Sequence, residues 1–296
     1  MRLIYYAIPF FFATLLLELA LSRGARKRGR RGYHVHDTFA SLAMGVGNLA
    51  VGAVTKGVAL ALYFVLYEHR LFTVPWTWWG LLLLFVVEDF HYYWFHRCHH
   101  EVRLLWAAHV NHHSSTHYNL STALRQSWTT PITGPLFWAP LPLLGFHPTM
   151  ILIAQTVSLL YQYWLHTEMI GSMGVFERVF NSPSHHRVHH GRNGIYLDRN
   201  HGGILIVWDK LFGTFQPELP DVPVDYGLTT NIDTYNPARI AFHEWAAMLR
   251  DAWRARGLRA KLGALLMPPG WRADGTGRTA RVIRREARAA REVSGG

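Results

Sequence analysis

Histidine recurs through residues 92–113, YYWFHRCHHEVRLLWAAHVNHH, as His96, His100, His109, His112 and His113, and a second run, SHHRVHH, supplies His185, His186, His189 and His190. Spacings of three and four place side chains on one face of a helix, so each run aims several imidazoles at a common point. Imidazole suits iron, copper, zinc and nickel, and more of it gathers here than the four ligands of a closed structural zinc site. The count asks for two metals. A haem held by two histidines wants them isolated on facing helices, whereas these are bunched at helix ends. A surface histidine patch or a regulatory zinc site leaves the repeated helical spacing unexplained.

The elements that must carry these histidines are apolar. Half of the 296 residues are hydrophobic, and they fall in long blocks at 3–21, 39–67, 75–95 and 128–165. Each is long enough for a helix crossing a bilayer, which takes about 20 residues. The last could cross twice and is broken by Pro140, Pro142, Gly145 and Pro148, so it reads as a helical hairpin. The first block is expected to be retained, because its positive charges follow the apolar run and no small-residue cleavage pattern is evident. The fold expected is all-α: a polytopic membrane helical bundle of five spans with a cytoplasmic helical cap holding a histidine-rich di-metal site. One membrane-embedded domain covers 1–273, and a basic tail, frayed or surface-bound, covers 274–296.

Lysine and arginine set the expected orientation. The run SRGARKRGRRG at 22–32 belongs on the cytoplasmic side, which puts the loop at 68–75 outside and every histidine run, with the basic tail, inside. His166, in YQYWLHTE, then ends the hairpin at the same depth, so nine imidazoles converge beneath the bilayer; His185 is left open between ligand, outer partner and solvated neighbour. The net charge of +11 reads as a topology and anionic-lipid signal, and no nucleic-acid recognition module accompanies it. A lone cysteine, Cys98, excludes an internal disulfide framework and reads as a small interior residue. His91 and His99 point off the face of His96 and His100 and read as packing. Trp76, Trp78 and Trp79 sit where an aromatic belt belongs. Lys56 is out of place inside the second block. The polar stretch NLSTALRQS at 119–127 suits a lipid head group or, equally, backbone capping.

The runs HRCHH, HVNHH and HHRVHH resemble the boxes of the fatty acid hydroxylase and sterol desaturase superfamily of membrane di-iron enzymes. Within it, the long segment from Tyr92 through NLSTALRQS, together with YQYWLHTE, NSPSHHRVHHGRN and GGILIVWDKLFGTF, is similar to the alkylglycerol monooxygenase branch, and the resemblance runs over about 5–271. It implies that the first box is His96 and His100, the second His109, His112 and His113, and the third His185, His186, His189 and His190. A glutamate needed for activity in that branch falls on Glu101. The resemblance further implies two iron ions, with zinc as a substitute, and O2 as oxidant. An external reductant is also needed, a tetrahydropterin or a separate electron-transfer protein such as a reductase, because the chain has no flavin, haem or iron–sulfur module. The implied reaction hydroxylates the ether-linked carbon of an alkylglycerol and releases a fatty aldehyde and a glycerol derivative. Other readings are a hydroxylase or desaturase of an ornithine lipid, a fatty acyl chain or a sterol, and, outside enzymes, a metal-handling membrane protein. The compact form suggests a bacterial inner membrane, with the metal site on its cytoplasmic side.

Overall fold

The computed structural model describes residues 2–25 and 32–294. Among these the chain is helical, with two isolated antiparallel bridges, Phe180 with Leu205 and Gly191 with Tyr226, and no strand. Most of the basic run at 22–32, and the last two residues of the basic tail, lie outside the described residues.

Three long helices come first: α1 (Arg2–Ala25), α2 (Val35–Glu68) and α3 (Trp78–Glu101). Thr77 starts α3 by accepting the Gly80 N–H on its hydroxyl. Among the described residues α2 is the one helix long and apolar enough to cross a membrane, and only 11 % of its most apolar window is buried. Phe10, Phe12, Leu16 and Leu17 of α1, Val54 and Val58 of α2, and Trp78 and Leu82 of α3 also face outward. So much outward apolar surface calls for a lipid or protein cover. Lys56 is exposed on α2. α1 is anchored by Glu18, whose buried carboxylate accepts from the Tyr33 and Thr167 hydroxyls and, at 2.8 Å, from the Leu120 N–H.

Single helical turns follow α3: α4 (Arg103–Trp106), α5 (Val110–His113) and α6 (Leu120–Ala123). Asn119 and Thr122 cap α6 reciprocally, and the buried Arg125 donates to the Asn111 carbonyl, the Ser114 hydroxyl and the Asp37 carboxylate. The polar stretch at 119–127 is therefore largely consumed by capping and interior bonds, and a head group is not what its polarity serves.

The expected hairpin has one helical arm. Its first arm is three separate four-residue helices, α7 (Thr130–Thr133), α8 (Pro135–Trp138) and α9 (Pro140–Leu143), and its return is α10 (Pro148–Tyr163), 16 residues long. Each piece has a proline in its first turn, where the missing N–H is harmless; continuing the preceding helix through that ring would lose a hydrogen bond and clash. The bend between the arms closes at Gly145, whose φ is +98° and where a Cβ would stand 2.3 Å from the Phe72 carbonyl oxygen. Tyr63, Leu84, Phe95, Trp138, Leu141, Phe146, Met150 and Ile151 form the core joining α2, α3 and the hairpin.

The remainder carries α11 (Pro183–His189), α12 (Val207–Leu211), α13 (Pro237–Arg254), α14 (Leu258–Leu266) and α15 (Ala280–Ser294). Asp89 of α3 accepts from the N–H groups of Ile204 and Leu205 and from the Trp208 indole, at 2.7, 3.1 and 2.9 Å, and so fastens residues 204–208 to α3. Arg103 pairs with Glu244 and Asp251 of α13, each at 2.7 Å. α15 is docked: Arg284 donates to the Leu197 carbonyl at 2.8 Å.

Candidate metal centre

The end of α3, the turn at α5, the end of α10 and the short helix α11 meet at one point. Two groups of imidazoles form there, His96, His100, His109, His113 and His189 in one and His112, His166, His186 and His190 in the other, with the candidate ligand atoms of each group within 4.8 Å of one another. The groups adjoin, since the rings of His113 and His190 stack at 4.4 Å. Nine of the ten histidines expected as ligands are thus brought together.

The expectation that each run aims at one point is corrected by this division. His109 and His113 serve one group while His112, between them, serves the other; on α11, His186 and His190 serve one and His189 the other. Helical geometry requires the split. From position i, the residue at i+4 lies about 40° to one side and the residue at i+3 about 60° to the other, so a box of the form H-x-x-H-H addresses two centres. His185 joins neither group. One position before His186 it is rotated by about 100°, and its ring meets Phe215 edge-on at 5.3 Å.

The nitrogens fit a pair of metal ions. Imidazole ligands about 2.0–2.1 Å from one metal lie about 3.0–3.4 Å apart. The Nε2 atoms of His96 and His109 are 3.1 Å apart, those of His109 and His113 3.3 Å, those of His112 and His166 3.1 Å, and those of His166 and His186 3.0 Å. The buried Nε2 atoms of His100, His189 and His190 have no hydrogen-bond partner. Burial, reinforced by the neighbouring imidazoles, holds His109, His113, His186 and His190 well below the ordinary histidine range, and His166 falls to about 4. Near neutral pH these rings are uncharged and their lone pairs are free to bind a cation.

Outer partners fix which nitrogen points inward. His96 donates Nδ1–H to the His201 carbonyl at 2.9 Å, His189 to the Arg199 carbonyl at 2.9 Å, and His100 to the Asp198 carboxylate at 3.3 Å. All three acceptors come from residues 198–201. On the other group, His166 donates to the Gln162 carbonyl at 2.9 Å and His112 to the Arg125 carbonyl at 3.4 Å. Such partners orient ligand imidazoles and raise their basicity. The 198–201 segment is held in an unusual shape, with Asp198 at φ +47° and Asn200 at φ +57°. Asn200 is clamped by bonds to the His185 and Gln216 carbonyls, and Asp209 accepts the His201 and Gly202 N–H groups, both at 2.7 Å.

Glu101 stands outside both groups. Its half-exposed carboxylate pairs with Arg97 at 2.9 Å. His91 and His99 turn back onto their own helix, bonding the Val87 and Phe95 carbonyls. His201, absent from the sequence-based candidates, is fully buried with neither ring nitrogen partnered, and its ring lies 5.0 Å from that of His100. Its signal was a histidine three residues after an aspartate in YLDRNHGG, just past the third box. A cavity of about 430 Å³ is lined by His100, His113, His189 and His190 and also by Asn231, Glu244 and Ile283.

Comparison with known proteins agrees with this geometry. Residues 81–214 match the fatty acid hydroxylase family model. The chain is 41 % identical to alkylglycerol monooxygenase of Homo sapiens over 270 residues, covering 90 % of this chain and 59 % of that one, and 36 % identical to that of Caenorhabditis elegans over 251 residues, covering 81 % and 49 %. The ornithine lipid hydroxylase OlsE of Rhizobium tropici is 29 % identical over 153 residues, covering 51 % and 46 %. The chain spans about three-fifths of the length of the first of these relatives. No solved structure gives a significant match. The alkylglycerol monooxygenases matched at about 40 % identity are animal proteins, so the expected bacterial inner membrane finds no support in them.

Proposed function

We propose that the chain, whose residues 81–214 match the fatty acid hydroxylase family model, is a membrane di-iron monooxygenase that hydroxylates the ether-linked carbon of an alkylglycerol with O2. The observation that carries this reading is the pair of buried, neutral imidazole groups at metal-ligand spacing. An all-nitrogen ligand set suits iron or zinc, and the redox chemistry called for selects iron. His96, His100, His109, His113 and His189 would hold one ion and His112, His166, His186 and His190 the other; when bound, the pair supplies activation of O2 for insertion into an unactivated C–H bond.

The chain's own residues prepare that chemistry. Burial keeps the imidazoles neutral, the carbonyls of Gln162, Arg199 and His201 fix the inward nitrogen, and the low-dielectric surroundings exclude water. Overall, an ether CH2 group, O2, two electrons and two protons give a hemiacetal and water. The hemiacetal then collapses to a fatty aldehyde and a glycerol derivative. The electrons come from a tetrahydropterin or a separate reductase. Glu101, at the end of α3, serves the reaction from beside the centre. Its carboxylate is held by Arg97 at 2.9 Å. The outward apolar faces of α1, α2, α3 and α10 would lie in the bilayer as a polytopic bundle. The metal groups would then sit at its edge, on the side of the basic segments.

The test supplies membranes containing the protein with an alkylglycerol, O2 and either a tetrahydropterin or a cellular reductase fraction. Fatty aldehyde is expected. Its absence under both conditions, with hydroxylation of an ornithine lipid instead, would replace the substrate, and oxygen-independent movement of metal across the membrane would replace the enzyme reading by that of a metal-handling protein.

A further inference from the structure

The basic tail ends in α15, and α15 touches the outer partner of a ligand. Asp198 spans the gap. Its Oδ1 accepts from His100 Nδ1 at 3.3 Å, while its Oδ2 faces the Arg284 guanidinium at 3.5 Å. Arg284 also donates to the carbonyl of Leu197, the residue before Asp198, at 2.8 Å. α15 is seated by further contacts: Arg291 pairs with Asp221 at 2.5 Å, and Ile283 and Ala287 close over Gly194, where a Cβ would stand 2.9 Å from that of Ala287. Ile283 also walls the cavity that reaches the imidazoles. Asp198 holds φ +47°, a left-handed conformation that aspartate adopts more readily than most residues.

We propose that Asp198 and Arg284 form a latch through which the C-terminal helix α15 orients the His100 imidazole, so that residues 280–294 are a working part of the five-histidine group. Both are positioning residues. One carboxylate oxygen takes the imidazole proton that fixes His100 with Nε2 inward. The other is held by a cation delivered from a helix more than 80 residues further along the chain. Of the two groups, only the five-histidine one is served by this carboxylate, because the acceptors for His112 and His166 are the backbone carbonyls of Arg125 and Gln162. Loosening the latch must therefore act on one metal of the two. The inference rests on the two-metal reading above.

The full-length protein, loaded with ferrous iron in detergent, is mixed with a colorimetric ferrous chelator and release is followed in time. Asp198→Asn and Arg284→Ala are expected to speed the release of one iron per chain by about 10- to 100-fold, the usual cost of losing an outer partner, while the second leaves at the wild-type rate. Arg284→Lys should restore most of the delay, and Arg284→Ala should add nothing to Asp198→Asn. Arg291→Ala, which removes only an exposed ion pair between α15 and Asp221 and leaves Arg284 on Asp198, should release iron like wild type. Release of both irons at wild-type rates from Asp198→Asn and Arg284→Ala, or an equal effect of Arg291→Ala, overturns the latch and leaves the two-metal reading intact. A wild-type protein that holds fewer than two irons overturns both.

Discussion

The division of each H-x-x-H-H box between two groups makes adjacent histidines inequivalent, and His112→Ala and His113→Ala put that to the test. His112 is one of four candidate ligands in its group and His113 one of five. Four-ligand metal sites in small domains bind with about 10–16 kcal/mol, or about 3–4 kcal/mol per ligand. At 1.4 kcal/mol per factor of ten, losing His112 should weaken its metal by about two to three orders of magnitude. His113→Ala leaves four imidazoles, a complete tetrahedral set, and should cost far less. The assay is metal per chain after dialysis against a buffer that holds the free ion about tenfold above the wild-type dissociation constant. At the affinities just derived, wild type is then about 90 % filled at both sites, and the weakened site of His112→Ala is filled to about 1–9 %. His112→Ala should retain about one metal and His113→Ala nearly two. Equal losses in the two variants, or two metals retained by His112→Ala, would refute the assignment of the two residues to separate groups.

Three further outcomes are expected. Glu101→Gln should abolish aldehyde formation while keeping both metals, because the carboxylate is outside both groups; near-normal turnover would return Glu101 to a purely structural role. The metal-free protein should lose stability as pH falls from about 6.5 toward 4. His166 and His185 take up protons only near 4 when folded but near 6.5 when unfolded, so the unfolded chain binds more protons across that window. The buried carboxylates of Asp198 and Asp209, raised to about 6, act in the opposite sense, but burial also lowers His109, His113, His186 and His190, so the imidazoles outnumber them and denaturant midpoints that rise on acidification would contradict the balance. A cysteine placed at residue 68 should react with an impermeant reagent from the face opposite the histidine groups, and labelling from the same face would undo the membrane arrangement.

What the sequence made legible was the part governed by short-range spacing. Eight of the nine clustered imidazoles could be named because histidines at i, i+3 and i+4 have few other uses, and His166 because it ends the expected hairpin; α2 could be named because 34 residues with a single charge in the interior leave little choice. The split of each box was also implicit in 3.6 residues per turn, yet a run of histidines invites a reading as one cluster. The hairpin's first arm was misjudged because hydrophobicity marks depth and says nothing of continuity; Pro131, Pro135 and Pro140 decided the matter. Asp198, His201 and Arg284 were out of reach for another reason. His201 and Asp198 meet His96 and His100 across about a hundred residues, Arg284 meets Asp198 across more than 80, and a left-handed aspartate leaves no periodic trace.

The central claim is that nine imidazoles hold two metals in one buried centre. It is tested most directly by the metal content and absorption spectrum of protein purified from iron-replete cells. Close to two iron ions per chain, with nitrogen and oxygen but no sulfur in their coordination and no haem band, is the predicted result. An active protein with a single tightly held metal, or with haem, would contradict it.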